Sequence, residues 1–342
     1  MRINNWFDLL MFSKFVLSVP ATGLGRPKAV SDLIVQRCSE FQKVDPASKL
    51  NVLSTRCIPA RGTRLTTKRG LSNDDLMAKR VQSKLEEANF RGAVNLVRCE
   101  DTLAPFDSVT FNSLKSKHPP TPSDRRPLAQ PDAVNFSCDV ATSTIYHAAL
   151  SFPAGSSGGP DGLSPQHLKD LLRLDGVDGP LAAALSSFIN EVLLGHIPQL
   201  IKPFFFGARL TAFIKKDGGL RPIAVGMTLR RLAAKVIASQ ATATLKQSFE
   251  PFQLGVGVAR GLEVGVHVAR NFLYNLSPGQ ALIKLDFKNA FNSICRDTVL
   301  EAVNLSLPFS YPLFMLLTPA IPFYSLAVIH YCRKKGFNKV TL

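Results

Sequence analysis

The sequence predicts an α+β fold in which helices dominate and a β-hairpin and one further strand interrupt them. Three observations carry this. Apolar residues recur at helical spacing in several segments between residues 139 and 305. Two apolar-rich runs flank the turn tripeptide Asp217-Gly218-Gly219. In "IKLDFK", Ile283, Leu285 and Phe287 alternate with Lys284, Asp286 and Lys288, the period of a strand.

Taken in order, "WFDLLMFSKFVLSV" (6–19) is apolar but carries Asp8 and Lys14, and no small-residue cleavage site follows it. It reads as an amphipathic helix rather than a signal peptide. Residues 20–70 are rich in Arg, Lys, Pro, Ser and Thr, so 1–70 is expected to be a basic, loosely ordered segment. Ser72 and the acidic residues after it open a capped helix with Leu76, Val81 and Leu85 at helical spacing. "FRGAVNLV" continues as a second short helix after a break near Gly92. The Pro-rich join "KHPPTPSDRRPLAQP" (117–131) closes a helical extension over 71–131 and leaves 132–342 as the main unit.

Within that unit, "DVATSTIYHAALSF" and "GPLAAALSSFINEVLLG" are predicted helices joined by "SSGGPDGLSPQHLKDLL". There Ser164 caps a helix with Pro165 at its first position. The hairpin "PFFFGARLTAFIKKDGGLRPIAV" leads to a long helix capped by Thr228 and carrying Arg230, Arg231 and Lys235. Another helix places Leu262, Val266, Ala269, Phe272 and Leu273 on one stripe. The strand at 282–288 follows, and Ser293 is placed to cap "ICRDTVLEAV".

Bulk properties narrow the partners. In 342 residues, 41 Lys and Arg against 25 Asp and Glu leave a net charge of +16, which favours a polyanion: nucleic acid first, an acidic membrane surface second. Six scattered cysteines without a C-x-x-C pair argue against zinc fingers and disulfide frameworks, and fit a reducing intracellular compartment, nucleus or cytoplasm. The uncharged stretch 307–329 has the length of a membrane span. Pro308, Pro312, Pro319 and Pro322 break it, so no stable membrane association is expected.

Three constellations bear on chemistry. With a 217–219 loop, Lys216 pairs with Leu220 and Lys215 with Arg221, and Arg209, Thr211 and Lys215 share a face with Arg221. That face either grips phosphates, for which guanidinium groups are suited, or is a solvated basic surface. Pro222 cannot donate to a ladder and marks an edge strand. The Gly-rich loop of Gly159, Pro160, Asp161 and Gly162 brings backbone close to whatever docks there, with Asp161 organising the turn, but it has neither Walker nor Rossmann spacing. Asp286 is either a salt-bridged carboxylate beside Lys284 and Lys288 or an oxygen ligand for Mg²⁺.

Together and in this order, "GGPDGLSPQHLK", "IKKDGGLRPIAV", "QLGVGV" and "LIKLDFKNAFNSI" resemble the reverse-transcriptase domain of non-LTR retrotransposons over roughly 136–305. The segment 70–130 resembles the extension that precedes the polymerase in some of these proteins. The resemblance implies right-hand polymerase fingers and a partial palm with antiparallel strands, acting on an RNA template, a DNA primer and deoxynucleoside triphosphates with two Mg²⁺ ions. It assigns Asp286 as catalytic and metal-binding, Phe287 as the carbonyl ligand beside it, and Phe291 as the steric gate that excludes a 2′-hydroxyl. Arg221 would contact the incoming triphosphate, with Arg209 and Lys216 as helpers. Residues 159–162, with Arg230 and Arg231, would touch nucleic acid.

One departure limits the resemblance. Two-metal phosphoryl transfer needs several carboxylates, and the family supplies the others from an Asp-Asp hairpin. The lone Asp-Asp here, Asp74-Asp75, lies in the first turn of an upstream helix, and Asp297 is the one aspartate after Asp286. The expectation is a truncated, inactive reverse transcriptase or, as an alternative, a retroelement-derived nucleic-acid-binding protein. Apolar edges should be exposed beside 282–288.

Overall fold

A computed structural model describes residues 3–18, 27–45, 72–86, 88–98, 102–105, 107–117, 139–249, 251–287 and 290–317. The N-terminal helices are α1 (Ile3–Phe15) and α2 (Pro27–Lys43), followed by α3 (Asn73–Glu86) and α4 (Phe90–Arg98). Then come β1 (Thr102–Leu103), α5 (Ser108–Ser116), α6 (Thr142–Leu150), α7 (Pro165–Asp175), α8 (Pro180–Leu193) and the single turn α9 (Lys202–Phe205). The hairpin is β2 (Ala208–Ile214) and β3 (Leu220–Gly226), and α10 (Thr228–Phe249) follows it. The chain continues through α11 (Gly261–Tyr274), α12 (Ala290–Ser293) and α13 (Arg296–Ser306) to a 3₁₀ turn (Pro308–Ser310) and α14 (Tyr311–Leu317). The architecture is mixed α+β, as expected.

The main core forms where α6, α8 and α10 pack on one another, with α7 closing one side. Ile145, Leu172, Ile189, Leu193, Leu232 and Val236 are fully buried there. The same core takes in α1. Trp6 lies 5.0 Å, ring to ring, from Phe188 of α8 and 5.6 Å from Phe205 of α9. The amphipathic helix expected over 6–19 is thus α1, and it is a core element, because Trp6, Phe7, Leu10 and Met11 bury one continuous face; residues 27–43, within the segment expected to be loosely ordered, also form a helix. The basic stretch 61–70 lies outside the described residues.

β1, β2 and β3 form one antiparallel sheet in that order. β1 and α5 come from the segment expected to be a helical extension, yet β1 pairs with β2 and Leu114 of α5 buries against Leu210 and Ala212. β3 is the edge of the described sheet, as Pro222 demands. The turn differs by one step from expectation. Lys215 faces Gly219, with Lys216, Asp217 and Gly218 forming the loop and Gly218 at φ +75°. Arg221 therefore lies opposite Phe213, not Lys215. A shift of two in the pairing sum leaves side-chain parity intact, so Arg209, Thr211 and Lys215 still share Arg221's face. The even positions Ala208, Leu210 and Ala212 are buried, and the basic face is the half-exposed one.

Helix caps show where local sequence suffices. Ser72 and Asp75 exchange backbone and side-chain hydrogen bonds at the start of α3. The Ser164 hydroxyl accepts from His167 N–H at the start of α7, with Pro165 at its first position. Three expectations fail. The break before α4 falls at Ala88 (φ +53°) and Asn89, whose side chain accepts from Gly92 N–H, so Gly92 lies inside the helix. Thr228 is the first residue of α10 and bonds elsewhere (below), and α13 is preceded by Cys295 rather than capped by Ser293.

The largest departure is downstream. Residues 281–287 carry no strand, and Ile283, Leu285 and Phe287 are each more than three-quarters exposed. Among the described residues no strand lies beside them to complete a ladder, so alternation alone does not make a sheet. The α11 stripe is likewise uncovered: Leu262, Val266, Phe272 and Leu273 are exposed, and Gly261 is that helix's one buried residue. Residues 307–317 form the 3₁₀ turn and α14, and no helix among the described residues is long and apolar enough to cross a membrane.

Candidate nucleic-acid interface

The Gly-Pro-Asp-Gly loop and the hairpin meet at the start of α10. Gly162 N–H closes a turn on Gly159 O (3.1 Å), and Gly162 takes φ +82°, which glycine adopts without cost. Arg209 of β2 donates to Gly159 O (3.3 Å). Thr228 donates its hydroxyl to Leu163 O (2.5 Å), and Arg231 donates to Ser157 O (2.7 Å). Partners 50 to 74 residues apart in the chain thus fix loop, strand and helix as one unit.

Gly159 belongs to this lock rather than to a ligand surface. A Cβ there would lie 2.5 Å from Met227 Cα and 2.8 Å from Gly226 O. Backbone on both sides cannot yield, so Gly159→Ala is expected to destabilise the protein by about 1–3 kcal/mol, read as a lower urea midpoint with unchanged m-value.

Asp161 is buried at 2% exposure, and its Oδ1 has no hydrogen-bond partner among the described residues. Burial raises its carboxyl to about 7, opposed by backbone N–H groups of Asp161 and Leu163 and by the charges of Lys14 and Arg209. Its organising role therefore runs inward, toward α1 and β2. Pro160 and Gly162 keep partial exposure.

The two arginines of α10 are both tied to backbone carbonyls, Arg230 more deeply than Arg231. Arg230 donates to Phe206 O (2.5 Å), and its guanidinium fills the space where a side chain on Gly226 would stand. Burial, then the neighbouring Arg231, pulls its pKa below the ordinary arginine value. Arg230, expected to touch nucleic acid, acts in this structure as an internal brace. Arg231 is half-buried, 5.3 Å from the centre of the Phe152 ring, and keeps part of its edge open. Arg221 and Lys216 are exposed, the latter in the hairpin loop, and Arg209 is half-buried through its bond to Gly159.

Asp286 stands apart from this unit. It is exposed and makes no hydrogen bond or ion pair with a described residue; of the two lysines considered as salt-bridge partners, Lys284 does not pair with it and Lys288 lies outside the described residues. Phe287 beside it is 77% exposed, and Phe291 lies in α12. No group of three or more His, Cys, Asp or Glu able to hold a metal occurs among the described residues. A lone exposed carboxylate does not fit a pair of Mg²⁺ ions, which require several bridging oxygen ligands.

Sequence reasoning assigns no role to Phe152, Lys169 or Lys235. Lys235 donates to Ser151 O (3.1 Å) and sits 5.0 Å from the Phe152 ring centre, and Lys169 donates to Phe152 O. The spacing of Arg231 and Lys235, four apart on one helix, was the available signal.

No family model matches the sequence, and no solved structure matches it. Over 177 residues, 52% of the chain, it is 26% identical to the "Retrotransposable element SLACS 132 kDa protein" of Trypanosoma brucei gambiense. The match spans 14% of that relative's length. At that distance, the chain is related to a retrotransposable-element protein.

Proposed function

We propose that this chain is a retroelement-derived, reverse-transcriptase-like protein that holds nucleic acid through its phosphates and does not by itself catalyse nucleotide addition. The observation that supports this reading is the lock at the start of α10, where the Gly-Pro-Asp-Gly loop and the basic hairpin are fixed together in the motif order of that enzyme class. On this reading, Arg221 and Lys215 present cations on the half-exposed hairpin face to phosphate oxygens, and Lys216 adds charge at the loop. Arg209 supports them indirectly by holding Gly159. Asp286 occupies the position of the catalytic carboxylate and Phe291 that of the sugar gate. A single carboxylate leaves the chemistry without its metal ligands.

The test uses an RNA template annealed to a DNA primer. Binding should fall steeply, by orders of magnitude, between roughly 50 and 200 mM salt. Primer extension with Mg²⁺ and deoxynucleotides should be absent. Extension that Asp286→Ala abolishes would replace this reading with a catalytic one, and no binding at low salt would overturn it.

A further inference from the structure

We propose that Arg231 and Lys235, which pin the 151–157 loop, and Arg173 near the buried Lys169 form a surface that tracks the phosphates of a nucleic-acid strand. The proposal rests on the nucleic-acid-binding reading above and adds a second surface to the hairpin face. Three of these cations converge on one short loop: Lys235 on Ser151 O, Lys169 on Phe152 O and Arg231 on Ser157 O. Asn89, from the turn before α4, donates to Ala154 O (2.9 Å), so the loop is held from both sides. Arg231 and Lys235 also lie over the Phe152 ring, which fixes their heads in place.

Pinning a loop does not by itself call for this arrangement. Neutral donors would satisfy the same carbonyls without the repulsion. A lysine has three N–H donors and an arginine five, so the half-exposed Arg231 and Lys235 keep donors beyond those that pin the loop, whereas Lys169 is buried. Arg173 makes no hydrogen bond to the loop, is 59% exposed at its side chain, and approaches Asp170 at 3.7 Å. Burial and then the like charges of Arg173 and Lys235 pull the Lys169 ammonium below its ordinary pKa, with Asp170 opposing them. Among the described residues Asp170 is the carboxylate that opposes these cations, and the remaining positive charge is a repulsion that a polyanion relieves.

The chemistry points to strand phosphates rather than bases. Phe152 is 6% exposed, so its ring faces the cations and has no open side for a base to stack on. Recognition at this surface should therefore be independent of sequence and dependent on salt.

The experiment measures anisotropy of a labelled oligothymidylate of about 16 nucleotides across a salt series. It compares the full chain with Arg173→Glu/Lys235→Glu and with Arg173→Gln/Lys235→Gln. The charge reversal should weaken binding at least about tenfold, and both variants should reduce the salt slope by about 1.4, the loss of two single-strand phosphate contacts. The neutral pair decides the matter if the reversed pair fails to fold, judged by its circular-dichroism melt. Wild-type binding with unchanged affinity and slope in both variants would overturn this surface and leave the broader reading standing. No wild-type binding would overturn both. Loss of binding to phosphatidylserine vesicles, with oligonucleotide binding kept, would overturn the proposal in favour of a membrane surface.

Discussion

Trp6→Ala is expected to destabilise the protein by about 3–5 kcal/mol, among the largest effects of any single truncation in the chain. Trp6 is 1% exposed and packs on Phe188 and Phe205, which belong to helices more than 180 residues away in sequence. Removing the indole opens a cavity among rigid aromatic neighbours that cannot collapse into it. Trp6→Phe should cost less than about 1.5 kcal/mol. The Trp6 Nε1 has no hydrogen-bond partner among the described residues, and phenylalanine keeps ring contacts while discarding that donor. Urea unfolding monitored by circular dichroism measures both variants. A wild-type midpoint for Trp6→Ala would show that α1 does not belong to the core.

Asp161→Asn is expected to remove most of a pH dependence that the wild-type protein carries between about pH 4 and pH 7. Burial raises the Asp161 carboxyl from 3.8 to about 7. Across that interval the folded protein keeps a proton that the unfolded chain has released. Stability therefore declines as pH rises through the window, is highest below the unfolded value, and levels off above about 7. The full swing from this group is on the order of 4 kcal/mol. Asparagine is uncharged at every pH, so its stability relative to wild type should improve on going from pH 5 to pH 8. Urea midpoints at those two values give the comparison. Equal pH profiles for the two proteins would mean that Lys14 and Arg209 hold Asp161 ionised in the folded state.

Both predictions concern contacts that join distant parts of the chain, and these were the contacts hardest to read in advance. What was legible was local. Ser72 and Ser164 cap their helices because a cap is a conversation among four consecutive residues. The hairpin formed where Asp-Gly-Gly stands between two apolar runs, and its basic face survived a misplaced loop because strand parity is insensitive to a shift of two. The order of motifs pointed to the retroelement relationship that the similarity to a retrotransposable-element protein supports.

The site was less legible because polar side chains choose partners in space. Arg209, Arg230 and Arg231 look alike in sequence, yet they brace Gly159, Phe206 and Ser157 carbonyls respectively. Thr228 has a cap's position by composition, but its hydroxyl is drawn to Leu163 O across the loop. Asp161 reads as a turn residue, yet it is buried and feels the charge of Lys14 on α1, which arrives from the far end of the chain.

The sequence by itself determined most of the helices after residue 139, the Ser72 and Ser164 caps and the hairpin with its cationic face, since each follows from periodicity or from neighbours a few residues apart. Tertiary structure alone decided that α1 belongs to the core and that β1 and α5 complete the hairpin sheet. It also decided that the alternating run at 283–287 forms no strand among the described residues. A strand needs a partner to satisfy its backbone, and a helix face needs a surface to cover it. Neither is encoded in the segment that requires it.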